Sequence, residues 1–376
     1  MTNRSANKPG DLVLTSVLWM TRFFFVASAL YGAYGEQHNP DRAVSFGYVA
    51  NSFDNTVSVI DTDSNKVVAT IPVGTFPSGV ATTPDGTRAY VTNMFDATVS
   101  VIDTARNKVV ATIPVGDNPS GVATTADGTH AYVTNSDFGN VSVIDTASNT
   151  VVDTIPVGGG FPTGVATTPD GIHPPEGGDR RHQPLAYVTN QVDDIVSVID
   201  TASNTVVATI PVGDNPNGVA FTPDGTRAYV TNLGTVNELD TTVSVIDTAN
   251  NTVVATIPAG KLPSGVAITP DGTHAYVTNT IDSIVSVIDT ASNTVVATIP
   301  VEFGSFGVAI PPDGTRPYEH DDRRRQPHAY VTNNSGNTVS VIDTSSNKVV
   351  ATIPVGNFPF ALAFATVTPS HRSSEQ

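Results

Sequence analysis

One tetrapeptide governs what this chain can fold into. Tyr-Val-Thr-Asn begins at Tyr90, Tyr132, Tyr187, Tyr229, Tyr276 and Tyr330, and a variant, Tyr-Val-Ala-Asn, begins at Tyr48. Successive copies lie 42, 42, 55, 42, 47 and 54 residues apart, so the base unit is 42 residues long. The excess is local: one extra glycine in the run 158–160, five residues between Asn232 and Thr242, and two inserts of twelve within 173–186 and 316–329. A unit this short cannot bury its own apolar faces and must stack on its neighbours. Seven copies counted from Tyr48 extend to nearly the last of the 376 residues, so no second domain is expected.

Every unit has the same internal order. In the unit spanning 77–115, residues 79–83 are a run of small, mostly apolar residues, and Pro-Asp-Gly at 84–86 is a turn. Residues 89–93, 98–104 and 108–115 follow as three strands rich in β-branched side chains, which fit a pleated sheet. Asp, Asn, Gly and Pro at fixed offsets supply the turns. No stretch of the repeats has a helical period. Four short strands per unit and seven units predict an all-β, seven-bladed β-propeller with four-stranded antiparallel blades. The first unit starts at its second strand, and residues 357–364 sit where the other units carry Pro-x-Gly-Val-Ala. The C-terminal strand is therefore expected to complete the first blade and close the ring, which removes free sheet edges. The predicted organisation is an N-terminal extension over 1–46, the propeller over 47–368 and a disordered tail over 369–376.

Tyr-Val-Thr-Asn, with Ser-Val-Ile-Asp-Thr and Pro-Asp-Gly-Thr at constant distance, resembles the YVTN-repeat β-propeller family of surface-layer-type and periplasmic proteins. The resemblance covers 47 to about 368. It implies a seven-bladed propeller outside the cytoplasm and carries no set of catalytic residues.

The first 46 residues are apolar over 12–20 and 23–30, with Arg22 between and Ala27-Ser28-Ala29 as a signal-cleavage pattern. A secretory signal, starting at Met1 or Met20, is expected. An uncleaved anchor over 12–34 is the alternative, with Arg22 inside the bilayer at about 2.5–3.5 kcal/mol, and the only route to a membrane. A secreted, periplasmic or cell-surface location follows.

Composition excludes several chemistries. The absence of cysteine rules out disulfides, thiolate zinc sites and thiol catalysis. A net charge of −17 argues against nucleic acid, whose phosphates need clustered cations. No nucleophile motif, phosphate loop or metal motif is present, so no catalytic residue, metal or cofactor is assigned. The recurring Asp of Ile-Asp-Thr and of Asp-Gly are expected to accept backbone bonds in turns. Tyr and Asn of the tetrapeptide are expected to pack and to cap a turn, respectively.

Function is then expected where the repeats differ. Strand alternation puts the loops after strands two and four on one face. That face carries variable tetrads after strand two and the returns to strand one. Its candidate binding residues are Asp54, Phe95, Asp96, Asp137, Phe138, Asp193, Asp194, Glu238, Asp240 and Asp282, none in a repeated turn slot. Eleven acids stand there against one cation, Lys261, and Phe53, Phe76, Phe161, Phe303 and Phe358 lie on the same loops. The opposite face carries the two inserts, which share Arg-Arg pairs: Arg180 and Arg181 in one, Arg323, Arg324 and Arg325 in the other. These arginines form a second candidate site, for an acidic partner. The expected function is a non-catalytic, monomeric scaffold for a protein or cell-envelope partner. Two alternatives stay open: a structural array protein, and an enzyme or redox-subunit propeller with a small-molecule site at the axial funnel. The enzyme alternative follows lactonase- and quinoprotein-like relatives of the architecture, although the innermost strands carry no ionisable residue.

Overall fold

The computed structural model describes residues 44–158, 160–169, 184–234, 241–312 and 327–367. The signal or anchor over 1–43, both arginine-bearing inserts and the tail 369–376 lie outside the described residues. Seven four-stranded antiparallel sheets make up the rest, one per tyrosine repeat, and they are numbered here as blades one (Tyr48) to seven (Tyr330). Blade two is typical: Pro77–Thr82, Arg88–Asn93, Thr98–Asp103 and Lys108–Pro114, from the innermost strand to the outermost. Single 3-10 turns occur in two tetrads, Met94–Asp96 and Ser136–Phe138.

The two middle strands of each blade are apolar on both faces because both faces are covered. Tyr90, Val99 and Val101 of blade two pack on Ala131, Val133 and Ile144 of blade three. The alternate residues Ala89, Val91 and Ile102 turn the other way, onto Tyr48, Val57 and Val59 of blade one. Successive strand side chains point to opposite faces, so one sheet feeds two layers. The core is thus a set of layers between blades, and each buried Ile, Val or Tyr contributes about 1.5–3 kcal/mol only if the neighbouring blade is present.

Polar bonds stitch the same seams. In all seven blades the tyrosine hydroxyl donates to Oδ1 of an asparagine in the following blade, as in Tyr132 to Asn204 at 2.7 Å and, across the closure, Tyr330 to Asn65 at 3.1 Å. The asparagine ending each tetrapeptide differs from its expected turn-capping role. It is buried, and its Nδ2 donates across the blade to a serine of strand three, for example Asn93 to Ser100 at 2.9 Å. The repeated Asp residues do sit in turns, as expected: Asp85 Oδ1 accepts from Thr83 Oγ1 and Thr87 N, and Asp200 Oδ1 accepts from Ala202 N and Ser203 N.

Ring closure follows the expected route. Pro359–Val367 lies antiparallel to Val44–Asn51, pairing Gly47 with Phe364 and Tyr48 with Ala363. The propeller therefore begins at Val44, three residues before the boundary read from the repeat. Phe364 also meets Tyr330 edge to face at 4.9 Å, so one segment completes blade one and packs on blade seven.

The outermost strand of each sheet presents an edge at the rim. Each pairs with strand three through a β-bulge: Val59 faces Ala69 and Ile60 faces Val67, leaving Val68 as the extra residue, about half exposed. Bulges twist an edge away from further pairing.

Candidate functional site

The tetrads and returns form one face, as strand alternation requires. The fourth tetrad residue is left-handed in six blades, with φ from 50 to 60°: Asn55, Ala97, Gly139, Asp194, Ser283 and Asn337. This reversal turns the second and third tetrad residues outward. Asp54, Phe95, Asp96, Asp137, Phe138, Asp193 and Asp282 are exposed, and Asp194 is half-buried. Glu238 and Asp240, like Arg180, Arg181, Arg323, Arg324 and Arg325, lie outside the described residues.

The acids differ from the sequence expectation in one respect: most also hold loops. Asp96 Oδ2 accepts from Thr75 N at 2.6 Å, Asp54 Oδ2 from Asn357 N at 2.7 Å and Asp282 Oδ2 from Lys261 N at 2.8 Å. Asp194 Oδ1 accepts from Asn215 N, and Asp137 accepts from the Asn118 side chain. Each bond ties a tetrad to a return loop. A carboxylate has about four acceptor sites, so these exposed groups keep lone pairs for a partner.

Phenylalanines on this face converge in one sector. Phe95 of blade two meets Phe76 of the return at 4.7 Å between ring centroids, and Phe76 meets Phe53 of blade one at 5.9 Å. Phe53 stacks on Phe358 at 4.4 Å, Phe358 lies 6.4 Å from Phe360, and Phe360 lies 4.0 Å from Phe306. Six rings thus run from the tetrads of blades two and one to the innermost strands of blades one and seven. Phe53 and Phe95 remain 63% and 65% exposed. Phe138 of blade three is as exposed but is not part of this line. Phe306 and Phe360 were not singled out from the sequence. Their signal was available: each follows the first residue of an innermost strand, where the other blades carry Ser, Thr or Asn.

In every blade the return residue just before the innermost strand has left-handed backbone. Phe76 and Phe358 have φ of 55° and 56°. Asn118 and Asn215 fill the same slot in blades three and five, and Phe161 and Leu262 fill it in blades four and six with φ of 53° and 57°; Asn tolerates that region far better than a bulky residue. Left-handed backbone costs a β-carbon residue about 1–2 kcal/mol. The loop is pinned on both sides: Phe76 N donates to Asn55 Oδ1 at 2.9 Å, and Met94 N donates to the Phe76 carbonyl at 3.1 Å. Phe358 is held alike, through Asn337 Oδ1 and Ser52 N.

The opposite face offers less. Shallow hollows of about 290 and 450 Å³ lie between its turns, lined by threonines with Asp127 and His130 or with Asp85 and Arg88. Arg88 and Arg106 are both engaged with Asp103, at 3.1 and 2.9 Å. Partial burial pushes the Asp127 carboxyl up, but hydrogen bonds from Thr125 and Thr129 outweigh it and hold the group below the ordinary carboxylate range. Among the described residues no group of three acids or histidines is placed to hold a metal ion, and no helix is long and apolar enough to cross a membrane.

Comparison with known proteins agrees with this architecture. A family model described as YNCE-like beta-propeller matches residues 29–129. No protein of curated function matches the sequence. Among solved structures, hydrazine synthase of Kuenenia stuttgartiensis is similar at 27% identity and a TM-score of 0.66, over 81% of this chain and 94% of that one. A functionally unknown protein from Desulfotomaculum acetoxidans aligns at 21% identity and a TM-score of 0.69, over 85% and 98%. Dihydro-heme d1 dehydrogenase NirN aligns at 21% identity and a TM-score of 0.58, over 85% of this chain and 64% of that one. Repeat and fold agree that this chain is a seven-bladed β-propeller, and its first blades are similar to the YNCE-like beta-propeller family.

Proposed function

We propose that this protein is a non-catalytic recognition scaffold, displayed outside the cytoplasm, that holds a protein or cell-envelope partner on its tetrad face. The observation that carries it is the line of six phenylalanines on one face, with Phe53 and Phe95 largely exposed. Exposed aromatic residues on rigid loops are what recognition surfaces use. A small-molecule site at the axial funnel is the second reading. Likeness to hydrazine synthase and NirN favours it, while innermost strands free of acids, bases and metal ligands weigh against it. The test is cross-linking in the native host with wild-type protein, Phe53→Asp/Phe95→Asp, and Phe138→Asp as control. A partner held by wild type and the control but lost from the double variant supports the scaffold. A metabolite retained in native mass spectrometry, with no partner dependent on Phe53 or Phe95, overturns it.

A further inference from the structure

The chemistry of the phenylalanine line narrows the partner. In two adjacent blades the tetrad presents Phe followed by Asp, Phe53-Asp54 and Phe95-Asp96, so a ring face and a carboxylate stand side by side twice. Phe76 bridges the two pairs, 5.9 Å from Phe53 and 4.7 Å from Phe95. All four of these tetrad side chains are exposed. Among the described residues, the tetrads and returns of this face carry nine acids and one cation. An apolar partner alone would leave those carboxylates desolvated and unpaired, which is costly. A cationic partner relieves their mutual repulsion.

Arginine suits this arrangement better than lysine. Its planar guanidinium stacks on a ring while its N–H groups reach a carboxylate, and it is more weakly hydrated than an ammonium. An extended chain places alternate side chains on one side about 6.6–7 Å apart. Phe53 and Phe95 are linked through Phe76 by steps of 5.9 and 4.7 Å, a span that the long side chains of arginines at positions i and i+2 can reach. A second copy of this chain is a poorer occupant: of its described arginines, Arg88 and Arg106 are engaged with Asp103, and Arg227 stands singly beside the turn of the repeated Asp224.

We infer that the Phe95–Phe76–Phe53–Phe358 line is a seat for an extended, arginine-bearing segment of a partner protein, each guanidinium stacked on a ring and paired with Asp54 or Asp96. This rests on the scaffold reading above and adds the partner's chemistry. The loops are held in place by the Thr75–Asp96 and Asn357–Asp54 bonds before anything binds, which lowers the ordering cost of association.

The experiment is fluorescence anisotropy of the full-length protein with labelled (Arg-Ser)4 and (Lys-Ser)4, equal in charge, at about 0.15 M salt, where the screening length is about 8 Å. The arginine probe should bind at least threefold tighter than the lysine probe, in line with a stacking term of about 0.5–1 kcal/mol at exposed sites. Phe53→Ala and Phe95→Ala should each weaken the arginine probe about fivefold and bring the two probes level, with circular dichroism unchanged. Val192→Ala, at an exposed tetrad position of blade four, should leave both affinities as they were. Equal binding of both probes, insensitive to Phe53 and Phe95, overturns the arginine seat but leaves the scaffold standing if the cross-linked partner persists. Tighter binding of neutral maltohexaose than of the arginine probe also overturns it and assigns the rings to sugar stacking. Loss of both the probes and the cross-linked partner overturns the two together.

Discussion

Thr231 Oγ1 donates to the carbonyl of Ser264 in the next blade at 2.8 Å, and it accepts from Gly218 N of its own blade at the same distance. Six blades repeat the outward bond, through Thr92, Thr134, Thr189, Thr231, Thr278 and Thr332. Blade one carries Ala50 in the threonine slot and Ala361 in the glycine slot. Those glycines are required by proximity: a β-carbon on Gly79 would lie 2.3 Å from the Ser120 carbonyl oxygen.

Thr231→Ala should therefore cost about 1–2 kcal/mol, because it strands a buried carbonyl and a backbone N–H. Thr231→Ser keeps the hydroxyl and should recover most of that loss. Urea denaturation read by circular dichroism measures both. Equal destabilisation by Ala and Ser would assign the effect to the methyl group instead of the clasp.

The seven repeat tyrosines predict alkaline unfolding. Burial pushes all seven hydroxyls up, and Tyr90 reaches about 12. The unfolded chain ionises near 10. A raised folded-state pKa stabilises fully below pH 10, and that stability is lost as pH climbs toward the folded value. Tyrosinate absorbance and loss of strand signal should therefore rise together above pH 10. Ionisation of these tyrosines at pH 10 in a protein with intact circular dichroism would contradict their burial.

On the acid side the sign reverses. Partial burial pushes the Asp224 carboxyl up, yet bonds from Thr222 and Thr226 outweigh it and leave the group below its ordinary value; Asp127 and Asp271 behave alike. Their contribution is present above an unfolded pKa of about 3.9 and is lost as pH falls through the folded value. Asp224→Asn should flatten the acid limb of stability against pH below about 4. A limb of unchanged slope would place the acid sensitivity in other carboxylates.

Removing residues 357–376 deletes the strand Pro359–Val367 and with it the partner of Val44–Asn51. Tyr48 and Tyr330 lose cover, and the edge of Val44–Asn51 becomes free to pair with other chains. Truncated protein should melt at least about 10 °C lower and elute as oligomers in size-exclusion chromatography. A monomer with an unchanged melting temperature would show that closure does not depend on this strand.

Phe53→Ala and Phe95→Ala should change stability by less than about 0.5 kcal/mol, as is usual for surface positions. Phe76→Asn should raise stability by about 1 kcal/mol by removing left-handed strain, while weakening whatever binds the ring line. Thermal unfolding measures the first effect and peptide anisotropy the second. Destabilisation by Phe76→Asn would mean that its ring packing outweighs the strain.

The linear order of residues was enough for the blade count, the strand order, the turn roles of the repeated aspartates and the C-terminal closure. Each of these depends on local period and on one unit repeated seven times, both visible without coordinates. It was also enough to separate the two faces, since strand alternation alone sorts the loops. The tertiary structure decided which residues on a face meet. Tyr132 and Asn204 are 72 positions apart in sequence and bond at 2.7 Å, a pairing set by the pitch between blades. Asp96 read as a free surface acid, yet it holds Thr75 N, because the return loop is brought beside the tetrad only when two blades stack. Phe95, Phe53 and Phe306 belong to three repeats, and nothing in their spacing says that their rings join one line while Phe138 stays outside it. Phe76 and Phe358 bridge the tetrad rings from the returns, while Asn118 fills the corresponding slot in blade three, and a return meets a tetrad only when two blades stack.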